Sequence, residues 1–174
     1  MSFNKSFGLP VTIIRPFNTY GPRQSARAII PTIITQALKN NRIEVGSTFP
    51  KRDLVYVEDT ANGIISAIGN KKSIGQVINL GSGFQISIKD LINKISAIMG
   101  VKLKITKNKA RYRPKNSEVV RLLACNKKAK KILNWSPKNS GVKGLEKGLI
   151  KTINWFRNKK TYLYKRGGCI CLSR

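Results

Sequence analysis

The run Val11-Thr12-Ile13-Ile14-Arg15-Pro16-Phe17-Asn18-Thr19-Tyr20-Gly21-Pro22-Arg23-Gln24 decides the fold. Its first four residues are an uninterrupted β-branched stretch, the pattern of a short strand buried on both faces. From Arg15 the composition turns to Arg, Pro, Asn, Gly and Arg, so the chain stops packing and starts presenting polar groups. Ligands of open α/β sheets bind at such strand ends. Arg52-Asp53-Leu54-Val55-Tyr56-Val57-Glu58-Asp59 repeats the theme, with Arg and Asp at the front of a second strand.

Outward from these two stretches the periodicity alternates. A helix is expected from Pro31, since Pro suits the first helical position. Its apolar residues are Ile33, Ile34, Ala37 and Leu38, and Asn40-Asn41 end it. Ile43–Val45 reads as a strand closed by Gly46, and Leu54–Val57 as another. Ala61, Ile64, Ile65 and Ile68 then follow helical spacing up to Gly69-Asn70. Gln76–Leu80 is a strand that ends in Gly81-Ser82-Gly83. Ser87 and Asp90 make a capping box for a helix that uses Ile88, Leu91, Ile92, Ile95, Ile98 and Met99 and stops at Gly100. Leu103–Thr106 is a strand, Arg111–Ser117 an irregular basic segment and Asn126–Leu133 a short helix. Val142, Leu145, Leu149, Ile153 and Phe156 mark a last amphipathic helix, and Trp135, Trp155 and Phe156 read as core. Strands alternate with helices, so the class is α/β. Residues 1–158 are read as one partial domain and 159–174 as a basic, frayed tail.

The totals narrow the function. With 174 residues and 41% hydrophobic content the chain can bury a core. The formal net charge of +27 first suggests a polyanion partner. The excess is mostly Lys, spread over nearly every element together with Ile and Asn, and reads as compositional drift. A nucleic-acid module needs its basic residues on one face, interleaved with exposed aromatics. No specific nucleic-acid partner is therefore expected, and that module stands as the alternative reading. Histidine is absent, which excludes His-based zinc sites and Ser-His-Asp chemistry within this chain. Cys125, Cys169 and Cys171 form no disulfide framework and no zinc spacing, and no metal is expected. No apolar run approaches a membrane span, and the first ten residues lack a signal-peptide core. A cytoplasmic protein with no membrane partner is the expectation.

Gly81-Ser82-Gly83, between a strand and a helix, invites a dinucleotide reading. The third glycine of G-x-G-x-x-G would fall on Ile86, so a tight turn is the simpler reading. Arg15, Arg52 and Arg113 sit at strand ends or in loops, and guanidinium forks suit diphosphate oxygens. Asn18 offers a donor and an acceptor to a polar ligand. Asp53 is placed to brace Arg52, and Asp59 to cap the helix after Val57. Glu118 suits ribose hydroxyls or Arg121 three residues on.

In order and spacing, Arg15–Gln24, Arg52–Asp59, Asn79–Gly83 and Arg113–Glu118 resemble the extended short-chain dehydrogenases. More narrowly, residues 5–158 look like the C-terminal, substrate-binding part of an NAD-dependent sugar-nucleotide epimerase/dehydratase. The run from Arg15 to Ala28 is most similar to the 4,6-dehydratases of nucleotide-activated N-acetylglucosamine. The resemblance implies an extended Rossmann-type fold whose N-terminal nucleotide-binding part is missing from this chain. It implies a UDP- or GDP-linked sugar as substrate, NAD as cofactor and, in the family, a dimer. It gives Asn18, Arg52 and Arg113 to the sugar nucleotide and its diphosphate, Glu118 to the ribose and Phe17 to the nicotinamide. The family's glycine-rich loop and Tyr-x-x-x-Lys pair are not found here: the residues four after each Tyr are Gln24, Thr60, Asn116, Arg166 and Gly168. The expectation is a substrate-binding half that is inactive alone, or a non-catalytic partner that completes a separately encoded half.

Overall fold

In chain order the elements are Ser2–Phe7 (α1), Ile13–Pro16 (β1), Asn18–Tyr20 (β2), Ile29–Asn40 (α2), Arg42–Val45 (β3), Lys51–Tyr56 (β4) and Val57–Ala67 (α3). They continue with Val77–Leu80 (β5), Gln85–Ser87 (β6), Ile88–Met99 (α4), Lys104–Lys107 (β7), Lys127–Leu133 (α5) and Gly141–Asn158 (α6). This computed structural model describes residues 2–112, 114 and 117–158. Arg113, Cys169, Cys171 and the expected tail at 159–174 lie outside the described residues. The chain divides into two compact units. One holds the chain up to Tyr20 with Lys51–Ile86 and Arg121–Lys147; the other holds Gly21–Pro50, Ser87–Val120 and the chain from Gly148.

In the first unit β1 and β5 form a parallel ribbon, with Ile13 opposite Val77 and Pro16 opposite Leu80. A second sheet runs β2-β4-β6, with Asn18 opposite Leu54 and Tyr20 opposite Tyr56 in parallel. Ile78 and Leu80 of β5 pack with Ala129, Leu133 and Trp135, and Ile14, Ala67 and Ile132 close around them. Gly63 lets α3 lie directly on β5: a Cβ there would stand 2.5 Å from Leu80 Cδ1.

In the second unit β3 and β7 pair in parallel, Arg42 opposite Lys104 and Val45 opposite Lys107. Ile30, Ile33, Ile34 and Ala37 of α2 are buried, as are Leu91, Ile92 and Ile95 of α4. Ser87 caps the helix as expected, its Oγ accepting from Asp90 N–H at 3.0 Å, and the same hydroxyl donates to Asp90 Oδ2 at 2.6 Å. Gly100 and Asn41 end their helices in the left-handed region. Among the described residues no helix is long and apolar enough to cross a membrane.

The first strand is Ile13–Pro16, two residues later than the β-branched run suggests. Val11 is spent on a turn, its N–H on Leu9 O and its carbonyl on Gly75 N–H. The ladder instead continues through Arg15 and Pro16. Trp155 is only half-buried, whereas Trp135 and Phe156 are core. Ala61, Ile64 and Ile65 are helical as expected, Ile68 is the extended residue that ends the helix, and all four face solvent.

Candidate functional site

Asp53 organises the strand ends of the first unit. Its carboxylate is fully buried within β4. Oδ1 accepts from Ser82 N–H at 2.7 Å and from Ser82 Oγ at 2.6 Å. Oδ2 accepts from Gly83 N–H and Ala124 N–H, each at 3.0 Å. A buried carboxylate is tolerable only when donors replace its hydration, and here four do. Asp53 therefore ties the turn after β5 to the segment at Ala124, and does not brace Arg52 as the sequence suggests.

Asn126 completes the clamp. It accepts from Gly81 N–H at 3.0 Å and donates Nδ2 to Gly81 O at 2.7 Å, a two-point match to the backbone of one residue. Gly81 has no room for a side chain: a Cβ would collide with Ala124 Cβ and stand 2.9 Å from Asp53 Oδ2. The N–H groups of Gly81, Ser82 and Gly83 are all directed at Asn126 or Asp53. A phosphate cradle needs such groups free. The turn thus holds the fold together and offers no seat for a cofactor pyrophosphate.

Three of the sequence-derived site residues sit beside this clamp, in the same unit. Asn18 opens β2 and is exposed, with Nδ2 donating to Asp53 O at 3.3 Å. Phe17, half-buried, bridges β1 and β2, and its N–H donates to Leu80 O at 2.8 Å. Arg52 precedes Asp53 and is half-buried, with Nη1 donating to Lys51 O at 3.0 Å. Arg15 is exposed at the end of β1. Glu118 is half-buried in an irregular segment of the second unit. Arg121 donates Nε to Gln85 Oε1 at 2.8 Å.

The second acid of the motif also departs from its expected role. Helix α3 starts after Tyr56 without a side-chain cap. Asp59, buried, instead accepts from Lys138 N–H at 3.0 Å and Asn139 N–H at 2.8 Å, while Asn139 Nδ2 donates to it at 3.2 Å. Trp135 Nε1 donates to the Asp59 carbonyl at 3.1 Å. Asp59 therefore fastens the approach to α6 onto the start of α3. Between β2 and β4, the Tyr20 and Tyr56 rings meet edge-on with centroids 5.6 Å apart. Burial pushes the Tyr20 phenol well above its ordinary 10.0, and the charges of Tyr56 and Asp59 add to this. Burial also raises Tyr56, helped by the charge of Glu58 and a hydrogen bond to it.

Sequence reasoning missed Asn126, Ser82 and Asn139. The one available signal was an acid inside an otherwise apolar strand, which demands buried partners without naming them.

Comparison with known proteins places this geometry. A family model described as GDP-mannose 4,6 dehydratase matches residues 1–147. The UDP-glucuronate 4-epimerase of Thermodesulfobacterium geofontis is 31% identical over 160 residues, 88% of this chain and 45% of its own length. The solved structure of Pal from Bacillus thuringiensis superposes with a TM-score of 0.80 at 37% identity, covering 91% of this chain and 49% of that one. UDP-glucuronic acid 4-epimerase from Bacillus cereus, solved with UDP-glucuronic acid and NAD, gives 0.81 at 30% identity, covering 90% and 48%. The chain thus spans about half the length of the relatives it matches, and their Rossmann-like α/β fold agrees with its parallel pairing.

Proposed function

Because the chain belongs to the GDP-mannose 4,6-dehydratase family, among the NAD-dependent sugar-nucleotide epimerases and dehydratases of the extended short-chain dehydrogenases, we propose that it is the substrate-binding half of such an enzyme. Its ligand is a UDP- or GDP-linked sugar. Asn18 contacts the sugar nucleotide near its diphosphate, Arg52 and Arg113 grip the diphosphate, and Glu118 holds the ribose. The observation that carries this reading is the Asp53 clamp. It ties β4 to the turn after β5 and to Ala124 through four hydrogen bonds, with Asn18 leaning on the Asp53 carbonyl and Arg52 next in sequence. A rigid strand end that carries Asn18 and Arg52 suits a polar, charged ligand, because little backbone ordering remains to be done on binding.

NAD, when bound, supplies the hydride acceptor for oxidation of the sugar. This chain contributes Phe17 beside the nicotinamide and no pyrophosphate seat at Gly81–Gly83, whose N–H groups are taken. Without a Tyr-x-x-x-Lys pair it also lacks the family's base, so the 174-residue chain alone turns nothing over.

Titration calorimetry with UDP-glucose, UDP-glucuronic acid and GDP-mannose tests the binding. Saturable heat with at least one of them is expected, weakened about tenfold or more in Arg52→Met, the loss of one charge-assisted contact. No saturation with any of the three would overturn the reading, as would an Arg52→Met chain that binds like the parent. Product formed by the chain with NAD and any of these sugars would refute the claim of inactivity.

A further inference from the structure

Helix α5 is apolar on one side and wholly basic on the other. Four of its seven residues are lysine, in the order Lys-Lys-Ala-Lys-Lys-Ile-Leu. At about 100° per residue, Ala129 and Leu133 share the inner face and Ile132 borders it. Ala129 and Leu133 are buried with Ile78, Leu80 and Trp135, and Ile132 packs against them. Lys130, Lys127, Lys131 and Lys128 follow one another over about 160° of the opposite side. All four are exposed, and no apolar, aromatic or acidic residue interrupts them.

A second pair of lysines is held beside this face, in the same unit. Lys71 and Lys72, both exposed, open the short helical turn Lys71–Ser73, which packs against α5. Asn70 makes the joint: its Oδ1 accepts from Lys72 N–H and its Nδ2 donates to Ile132 O, each at 3.0 Å. Ser73, buried, anchors the far end of the turn, with Oγ donating to Asn70 O at 2.8 Å and lying 2.8 Å from Thr12 Oγ1. Neither element carries an acid. Helix α3, which also packs on α5, has its two acids in its first turn. Asp59 is buried on the N–H groups of Lys138 and Asn139, and Glu58 accepts from Tyr56 Oη at 3.4 Å. The lysine excess is spread along the sequence, but here the fold gathers six lysines on two adjoining elements.

We propose that the lysine face of α5, with Lys71 and Lys72, binds the phosphate backbone of double-stranded nucleic acid without regard to sequence. The chemistry of the face selects this polyanion. Lysine is a compact, strongly hydrated point charge that suits single phosphates rather than planar, bidentate recognition. Single strands are held by exposed aromatics on which bases stack, and α5 has none. A helix lying on a lipid surface buries its apolar face in the lipid, and here the apolar face of α5 is already spent on the core. Each phosphate neutralised releases counterions, so binding of this kind is marked by its salt dependence. None of the six lysines is assigned to the nucleotide sugar, so this inference and the proposed function can fail separately.

Fluorescence anisotropy of the full chain with a labelled DNA duplex of mixed sequence, from about 0.05 to 0.2 M salt, tests this. In the chain with Lys127→Gln, Lys128→Gln, Lys130→Gln and Lys131→Gln, affinity at low salt should fall at least tenfold. The slope of log affinity against log salt should become shallower by about 3 to 4, at about 0.9 per phosphate contact. An equal loss of charge in the second unit, at Lys39, Lys102, Lys104 and Lys107, all exposed, should change the slope by less than about 1. Lys71→Gln with Lys72→Gln lies outside the helix and should make the slope shallower by about 2, which decides the matter if the α5 variant does not fold. Arg52→Met should bind the duplex like the parent. Equal losses in the two fourfold variants would mean that diffuse charge does the binding, and would overturn the proposal. So would tighter binding to poly(dT) than to the duplex, or α5 substitutions that release the chain from phosphatidylserine vesicles while sparing the duplex.

Discussion

Asp53 cannot be replaced by its isostere. Each carboxylate oxygen receives two donors, Ser82 N–H and Oγ on Oδ1, and Gly83 N–H and Ala124 N–H on Oδ2. In Asp53→Asn one of the two becomes an amino group, and either orientation points it at a backbone N–H that cannot turn away. Leaving such buried donors unmatched costs about 1–3 kcal/mol each. Urea unfolding of Asp53→Asn should therefore show a loss of about 3 kcal/mol with little change in slope. A loss under about 1 kcal/mol would show that water reaches the clamp. Gly81→Ala probes the same joint sterically. Its new methyl meets Ala124 Cβ, so overpacking of about 1–3 kcal/mol is expected in the same assay.

Strands β2 and β4 are joined by their backbone ladder and by the pair Tyr20 and Tyr56, which stand opposite each other in register. Both phenols are raised above 10.0, chiefly by burial. A raised acid binds its proton more tightly in the folded state, so the stabilisation is complete below pH 10 and lost as pH climbs above it. Thermal unfolding followed from pH 8 to 11 should show melting temperature falling above about pH 10. Tyr20→Phe should flatten that fall, at a cost of about 1 kcal/mol at neutral pH for the bond to Leu145 O. An equally steep fall in Tyr20→Phe would assign the alkaline limb elsewhere. The same elements show how far the sequence could be read. Helices α2 and α4 were legible because caps and stripes lie within one element, from Ser87 with Asp90 to Gly100. Strand β2 was not, because its three residues follow Pro16 and Phe17 with no alternation to detect. At the site, Arg52 and Asn18 stood out by residue type and place. The task of Asp53 did not, because its partners lie 29 to 71 residues away and three of its four bonds come from backbone N–H groups, which carry no signature. The α3 stripe was legible as helix but silent about which face would be covered.

Across the whole molecule 34 basic residues face 7 acidic ones, and two of those acids, Asp53 and Asp59, are buried as backbone acceptors. Little negative charge remains at the surface to offset the lysines. Self-repulsion of this size works against the compact state, and its range follows the ionic strength, about 30 Å at 0.01 M and about 3 Å at 1 M. Melting temperature should therefore rise by several degrees as sodium chloride increases over that span. The rise should occur at constant pH and without any specific ligand. Sodium phosphate at matched ionic strength separates two origins. Diffuse repulsion responds equally to both salts at low concentration, whereas a built diphosphate site gains extra stability from phosphate through binding to the folded state. Arg52→Met should remove that extra gain and leave the chloride response intact. A flat chloride profile would mean that the charge is spaced widely enough to cost nothing. A phosphate gain that persists in Arg52→Met would move the anion site away from β4.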